Sequence, residues 1–175
     1  MQFKEGRSGP MLFVTAEYRF TAGDELLVQE EQDIVFRQDP DAAPPVRQAP
    51  HPAEAGRAEP DPSADWTWSL DPGPAMLMRF SALTFNPHRI HYDQPYVTGV
   101  EGFPGIVVHG PLTALALLEL PRRAGLQVRH LTLRARRPMF AGEHIVYEGR
   151  RDGDGATLVA RTAATSEAVT AEVEL

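Results

Sequence analysis

The sequence predicts an α+β protein: an antiparallel sheet wrapped around one central buried helix, with a β-hairpin ahead of it. Three observations carry this. Residues 112–120 are apolar on nearly every side, the pattern of a helix covered all round. Four strand-like stretches separated by Gly- and Asp-bearing turns follow it. Residues 39–63 hold seven prolines and almost nothing large and apolar, so they set the first stretch of chain apart from the rest.

The elements are expected in this order. Residues 11–20 are rich in aromatic and β-branched side chains, which suit a pleated, half-buried surface. Thr21-Ala22-Gly23-Asp24 is a turn, and residues 25–37, with Leu27, Ile34, Val35 and Phe36, form the partner strand. A hairpin alone is marginal in water and must pack on something. Residues 1–38 are therefore read as a hairpin region, 39–64 as a Pro-rich linker and 65–175 as the main domain. Within that domain residues 65–70 restart ordered structure and 71–74 turn. Residues 75–85 read as an apolar strand passing into a turn, and 92–104 as a loop with a helical turn near 94–97. Pro111 fits the first position of a helix, where its missing N–H costs nothing, and Pro121 is expected to stop that helix. Strands are expected over residues 128–137, 144–151, 156–165 and 168–175, running as a meander.

At 175 residues, 42% hydrophobic and 23% charged, the chain has the size and composition of one well-buried soluble domain with some left over. A net charge of −7 argues against a nucleic-acid partner, because phosphate contact needs a basic face. The absence of cysteine removes disulfides, thiolate metal sites and a Cys nucleophile. No apolar run is long enough to span a bilayer and the first residues carry no signal core, so the expectation is a cytoplasmic protein without a membrane partner.

The chemistry gathers in residues 80–93, Phe-Ser-Ala-Leu-Thr-Phe-Asn-Pro-His-Arg-Ile-His-Tyr-Asp. Asn86 and His91 stand five apart across a proline, a spacing for a loop or broken turn rather than one helix face. An amide and an imidazole so placed can clamp one water, and His is the side chain suited to moving its proton near neutrality. Residues 107–111, Val-Val-His-Gly-Pro, open the apolar helix and are read as part of the same site. The dull alternative is a capping Asn and a satisfied loop His. His88, His91, His109 and Asp93 could also be read as zinc ligands, but the expectation is no metal. Asp93 is expected to hold a histidine or cap a turn. Trp66 and Trp68 are expected to pack.

This order of elements, with these two motifs, resembles the hot-dog fold of the MaoC-like hydratases and dehydratases. Their signature is Gly-Asp-x-Asn-Pro-(Ile or Leu)-His, with Asp and His as the catalytic pair. Asn86 falls on the Asp, Pro87 on the variable position, Ile90 on the aliphatic one and His91 on the His, while His88 and Arg89 replace Asn-Pro. Gly110 matches the glycine whose N–H joins an oxyanion hole at the central helix. The wording of residues 80–93 and 108–112 is similar to a branch with two hot-dog repeats in tandem. That branch holds fungal mitochondrial 3-hydroxyacyl-thioester dehydratase and the mesaconyl-C4-CoA (3-methylfumaryl-CoA) hydratases; residues 6–37 look like the end of its first repeat, the bulk of which is missing.

The resemblance implies reversible addition of water to a trans-2-enoyl-CoA, branched or dicarboxylic substrates such as mesaconyl-CoA included. It implies His91 as proton-transfer group, Asn86 as orienting group and Gly110 in the oxyanion hole. His88, His109, Arg134 and Arg136 are expected to bind substrate, the arginines at the coenzyme A phosphates together with Arg137, Arg150 or Arg151. No cofactor is implied beyond coenzyme A carried by the substrate. A hot-dog sheet has an edge and an apolar face to cover, so a homodimer is expected. The competing readings are a thioesterase on the same fold, which would need a carboxylate near the helix N-terminus, and a non-catalytic hot-dog subunit.

Overall fold

A computed structural model describes residues 1–6, 9–37 and 56–175 and divides the chain into two compact units, Met1–Ala42 and Ala43–Leu175. The first is an antiparallel sheet of three strands, β1 (Gln2–Gly6), β2 (Gly9–Ala22) and β3 (Glu25–Arg37), in the order β1-β2-β3. The expected hairpin is present, and its turn carries Gly23 at φ 61°. β1 is an addition. Its short sequence has no apolar alternation, and it pairs because the edge of β2 offers a free row of backbone groups, with Gln2 opposite Phe13 and Gly6 opposite Gly9.

The second unit carries a five-stranded antiparallel sheet: β4 (Trp66–Leu70), β5 (His130–Ala135), β6 (Ile145–Asp152), β7 (Gly155–Thr162) and β8 (Thr165–Glu174). Its order is β4-β6-β7-β8-β5. The four late strands therefore do not run as one meander: β6, β7 and β8 do, but β5 lies at the far edge beside β8, and β4 takes the place next to β6. Among the described residues three α-helices accompany the sheet, α1 (Pro74–Leu83), α2 (Gln94–Gly99) and α3 (Gly110–Arg123).

The core forms between α3 and the sheet. Ala116, Leu117 and Leu120 meet Ile145, Tyr147, Leu158, Ala160 and the alternating Val169, Ala171 and Val173 of β8. Trp68 packs as expected: it stacks on Tyr147 with centroids 5.0 Å apart, and its Nε1–H donates to the Ala116 carbonyl at 2.9 Å. Gly149 is required beside Trp66, whose ring would lie 2.7 Å from a Cβ there.

Three expectations about elements are corrected. Residues 75–85 are mostly helix α1 and not a strand. Pro74 begins it, Ala, Met, Leu and Arg favour it, and Leu77 and Ser81, one turn apart, are its buried face. Helix α3 is not buried on all sides, since Leu115 is 56% exposed while Thr113, Ala116, Leu117 and Leu120 are covered. Nor does Pro121 stop it: α3 runs two residues further to Arg123, because a proline that near the end removes only one bond of the ladder. The Pro-rich stretch read as a linker lies outside the described residues up to residue 55. From Gly56 the chain already packs on the second unit: Ala58 is buried, and the Asp61 N–H donates to Glu148 Oε1 at 2.5 Å.

Candidate active site

The site is built where the chain leaves α1, doubles back, and enters α3. Helix α1 ends in a tight reversal. The Asn86 N–H donates to the Ser81 carbonyl at 2.9 Å and the Phe85 N–H to the Ala82 carbonyl at 3.4 Å, the bond pair of a left-handed helix end. The residue at its centre is not glycine but Phe85, at φ 52° and 92% exposed. Asn86 Oδ1 then accepts from the His88 N–H at 3.0 Å, closing a small side-chain turn over Pro87. Arg89 donates to Asp93 Oδ2 from Nε and Nη2 at 3.0 and 2.7 Å and lies over the Tyr96 ring. Asp93 Oδ1 accepts the Tyr96 N–H at 3.1 Å, so Asp93 caps α2, as expected of it.

His91 falls within a single 3-10 turn, Arg89–His91, and is buried. Its Nδ1 lies 2.7 Å from the Val107 carbonyl. A carbonyl only accepts, so Nδ1 carries the proton and Nε2 of the neutral ring carries the lone pair. Burial holds the His91 imidazole below its ordinary pKa, the Val107 carbonyl opposes this, and His88 adds to the lowering. Val107 is itself fixed from both sides: its N–H donates to the Ile90 carbonyl at 2.9 Å and it bridges to Phe140.

Two residues on, His109 is fully buried. Its ring stacks on His91 with centroids 3.7 Å apart and planes at 18°, and Phe80 meets it edge-on at 4.8 Å. Its Nε2 lies 2.8 Å from Ser81 Oγ. Burial, and then the His91 ring, push its pKa down to about 4. Helix α3 begins at the next residue. Its first turn offers the Gly110 and Leu112 amides, because Pro111 has none, and His109 does not cap them. The positive end of the helix thus opens towards a groove of about 360 Å³ whose walls include His91, Gly110, Val108, Met139, Arg136 and Arg137. No atom lies within 4 Å of where a Cβ on Gly110 would stand, so the fold does not demand glycine there; its missing side chain keeps the groove open.

The structure brings His91, Gly110 and Arg136 into one groove, as expected, together with Arg137. It does not bring in the others. Arg134 is exposed on β5, directly before Ala135, the first residue of that strand to line the groove. His88 is exposed, its ring edge-to-face with His91 at 5.6 Å. Asn86 is half-buried and outside the groove wall, one lone pair of its carbonyl already engaged. His109, expected to bind substrate, is completely buried and stacks on His91, outside the groove wall. Sequence reasoning missed two groups. Ser81 is recognisable as a partner only once α1 is known to be a helix, and the Val107 carbonyl has no side-chain signal.

The sequence pattern of the family described as hydroxyacyl-thioester dehydratase type 2 matches residues 3–141. The chain is 43% identical over 173 residues to the mesaconyl-C(4)-CoA hydratase of Chloroflexus aurantiacus, covering 98% of this chain and 59% of that protein. It is also 43% identical over 53 residues to the mitochondrial hydroxyacyl-thioester dehydratase type 2 of Schizosaccharomyces pombe, 30% of this chain and 18% of the relative. The chain thus spans less than two thirds of the length of these relatives. Among solved structures, HtdX of Mycobacterium tuberculosis superposes with a TM-score of 0.70 at 20% identity, over 100% of this chain and 64% of that one. A MaoC-like dehydratase of Phytophthora capsici does so with a TM-score of 0.65 at 16% identity, over 98% and 61%. At such identities the likeness is one of fold, and the fold is the hot-dog. With a matching pattern over most of its length, the chain belongs to the hydroxyacyl-thioester dehydratase type 2 family.

Proposed function

We propose that the chain catalyses the reversible addition of water to a trans-2-enoyl thioester of coenzyme A. The observation that carries this is the fixed tautomer of His91, whose Nδ1–H is held by the Val107 carbonyl at 2.7 Å. That leaves Nε2 as the basic atom of a residue that lines the groove together with Gly110. Nε2 takes a proton from water as the oxygen bonds to the β-carbon. The thioester oxygen, turning to enolate, accepts from the Gly110 N–H at the positive end of α3. The imidazolium then returns its proton to the α-carbon on the same face, so water adds syn and the base is regenerated. Asn86 has no acid–base chemistry in range; its Nδ2 and the second lone pair of Oδ1 are what it can offer to orient the water.

Arg136 and Arg137 give the groove a cationic rim that suits coenzyme A phosphates or an acyl carboxylate. A branched, dicarboxylic acyl group is supported by the name of the Chloroflexus relative. Arg134 and His88, exposed nearby, are assigned to the outer part of the substrate. No cofactor takes part. A homodimer is the proposed state, supported by Phe3, Phe20, Leu27 and Phe36, all more than half exposed on the three-stranded sheet. Among the described residues no helix is long and apolar enough to cross a membrane, and the cytoplasm is the proposed compartment.

The test is loss of enoyl absorbance on mixing the protein with crotonyl-CoA or mesaconyl-CoA. Turnover of either is expected. No turnover of any short, branched or dicarboxylic enoyl-CoA would sink the reading in favour of a non-catalytic subunit.

A further inference from the structure

The residue that precedes a helix commonly turns its side chain onto the first amides. His109 stands there and does not. Its Nε2 is drawn to Ser81 Oγ of α1, its Nδ1 meets no partner, and its ring lies flat against His91. Ser81 is 6% exposed and has Leu77 one turn before it on the buried face of α1. Among the described residues, one hydroxyl is thus the sole polar anchor of a fully buried ring. We propose that Ser81 and His109 form a positioning pair: Ser81 turns the His109 ring off the start of α3 and against His91, which clamps the base and leaves the Gly110 amide free for the substrate oxygen. This rests on the hydratase reading of the site.

The physical content is a competition. A buried imidazole without a partner is costly. If Ser81 loses its hydroxyl, both His109 nitrogens are orphaned, while the Gly110 and Leu112 amides at the start of α3 remain uncapped donors, Pro111 having none. A ring that swings to cap them takes the place of the thioester oxygen and leaves His91 without its backing. The titratable or charged groups facing His91 are His109 from the α3 cap, His88 from the preceding loop, and Arg136 and Arg137 from the groove. None is a carboxylate, so the neutral, proton-accepting ring is favoured for as long as the stack excludes water.

Three variants separate this from a merely structural role. Ser81→Ala is expected to lower kcat/KM by ten- to about a hundredfold, the scale of a misplaced reacting group, and to move the acid limb of the pH–rate profile upward as water reaches His91. Ser81→Thr keeps the hydroxyl and should recover most of both. His109→Phe keeps a stacked ring but has no nitrogen with which to cap, so it should lose less activity than Ser81→Ala. Wild-type behaviour of Ser81→Ala, or a greater loss in His109→Phe than in Ser81→Ala, overturns the proposal. NMR titration of the His91 Cε1–H needs no turnover and decides the pair even if the hydratase reading fails. Its midpoint should rise in Ser81→Ala, and an unchanged midpoint overturns the pair alone.

Discussion

Two segments reach the groove, one through His91 and the other through Val107 and Val108, and they are held in different ways. The segment from Asn86 to Asp93 is tied mostly to itself: Asn86 to His88, Tyr92 to the Pro87 carbonyl, Arg89 to Asp93, and much of it is exposed. The segment from Val107 to His109 is buried and tied to its surroundings, by the Val107 N–H to Ile90, the Val108 N–H to Met139 and His109 to Ser81. His91 belongs to the first segment by sequence and to the second by bonding. The segment that supplies His91 is a set of local turns, and the segment that fixes its proton and its plane is part of the core. The placement of the His91 ring is therefore set from the buried side, where the groups are closely packed.

The largest effect that follows from this contrast concerns the base itself. His91→Ala should lower turnover by roughly a hundredfold or more, the range of general acid–base catalysis. Asn86→Ala, in the self-tied segment beside the groove, should cost ten- to about a hundredfold and always less than His91→Ala. Steady-state rates of the two variants on one enoyl-CoA give the order, and the reverse order would mean the base is misassigned.

Acid should act on the buried segment next. The folded-state pKa values of His91 and His109 both lie below the ordinary 6.5, that of His109 at about 4. Unfolding raises them, so their contribution to stability is complete above about pH 6.5 and is lost as pH falls. Between pH 6.5 and 4, His109 should account for roughly 2 kcal/mol after allowance for solvent screening. Urea unfolding over that window should show a shallower loss for His109→Phe than for the wild type. Equal slopes would mean that His109 is charged or open to water in the folded protein. Activity has the same sign: neutral His91 is needed, and its acid limb should fall below 6.5.

The smallest effect tests the exposed segment. Phe85 holds a left-handed conformation that L-residues enter at a cost of about 1 kcal/mol, and it is nearly fully exposed. Phe85→Gly should raise stability by up to about 1 kcal/mol with Asn86 still in its turn. A loss of stability would show that the phenyl ring is covered in solution.

The fold was legible where local chemistry and tertiary structure agree. Pro111 at the start of α3 and the Gly- and Asp-bearing turn at Gly153 each point one way, and each was read correctly. It was not legible where partners come from elsewhere. β5 looks like the first strand of a meander, yet its partner is β8, chosen by which edge remains once β6 has paired with β4. Helix α1 has good helix formers throughout, but its apolar run hides the period, because only Leu77 and Ser81 are buried and one of them is a serine. The same disguise concealed half of the site. His91 and Gly110 could be found from a motif. The serine that anchors the neighbouring ring could not, nor could a main-chain oxygen.

That oxygen has an evolutionary corollary. The Val107 carbonyl, which sets the proton on His91, belongs to the backbone, so no side-chain exchange at position 107 can delete it. Mutation reaches the bond only through volume, by shifting the strand-like segment, or through a proline that breaks the Val107 tie to Ile90. Position 107 is thus free to drift among small apolar residues while the tautomer stays fixed. A search that scores only side chains would pass over the group on which the chemistry of its neighbour depends.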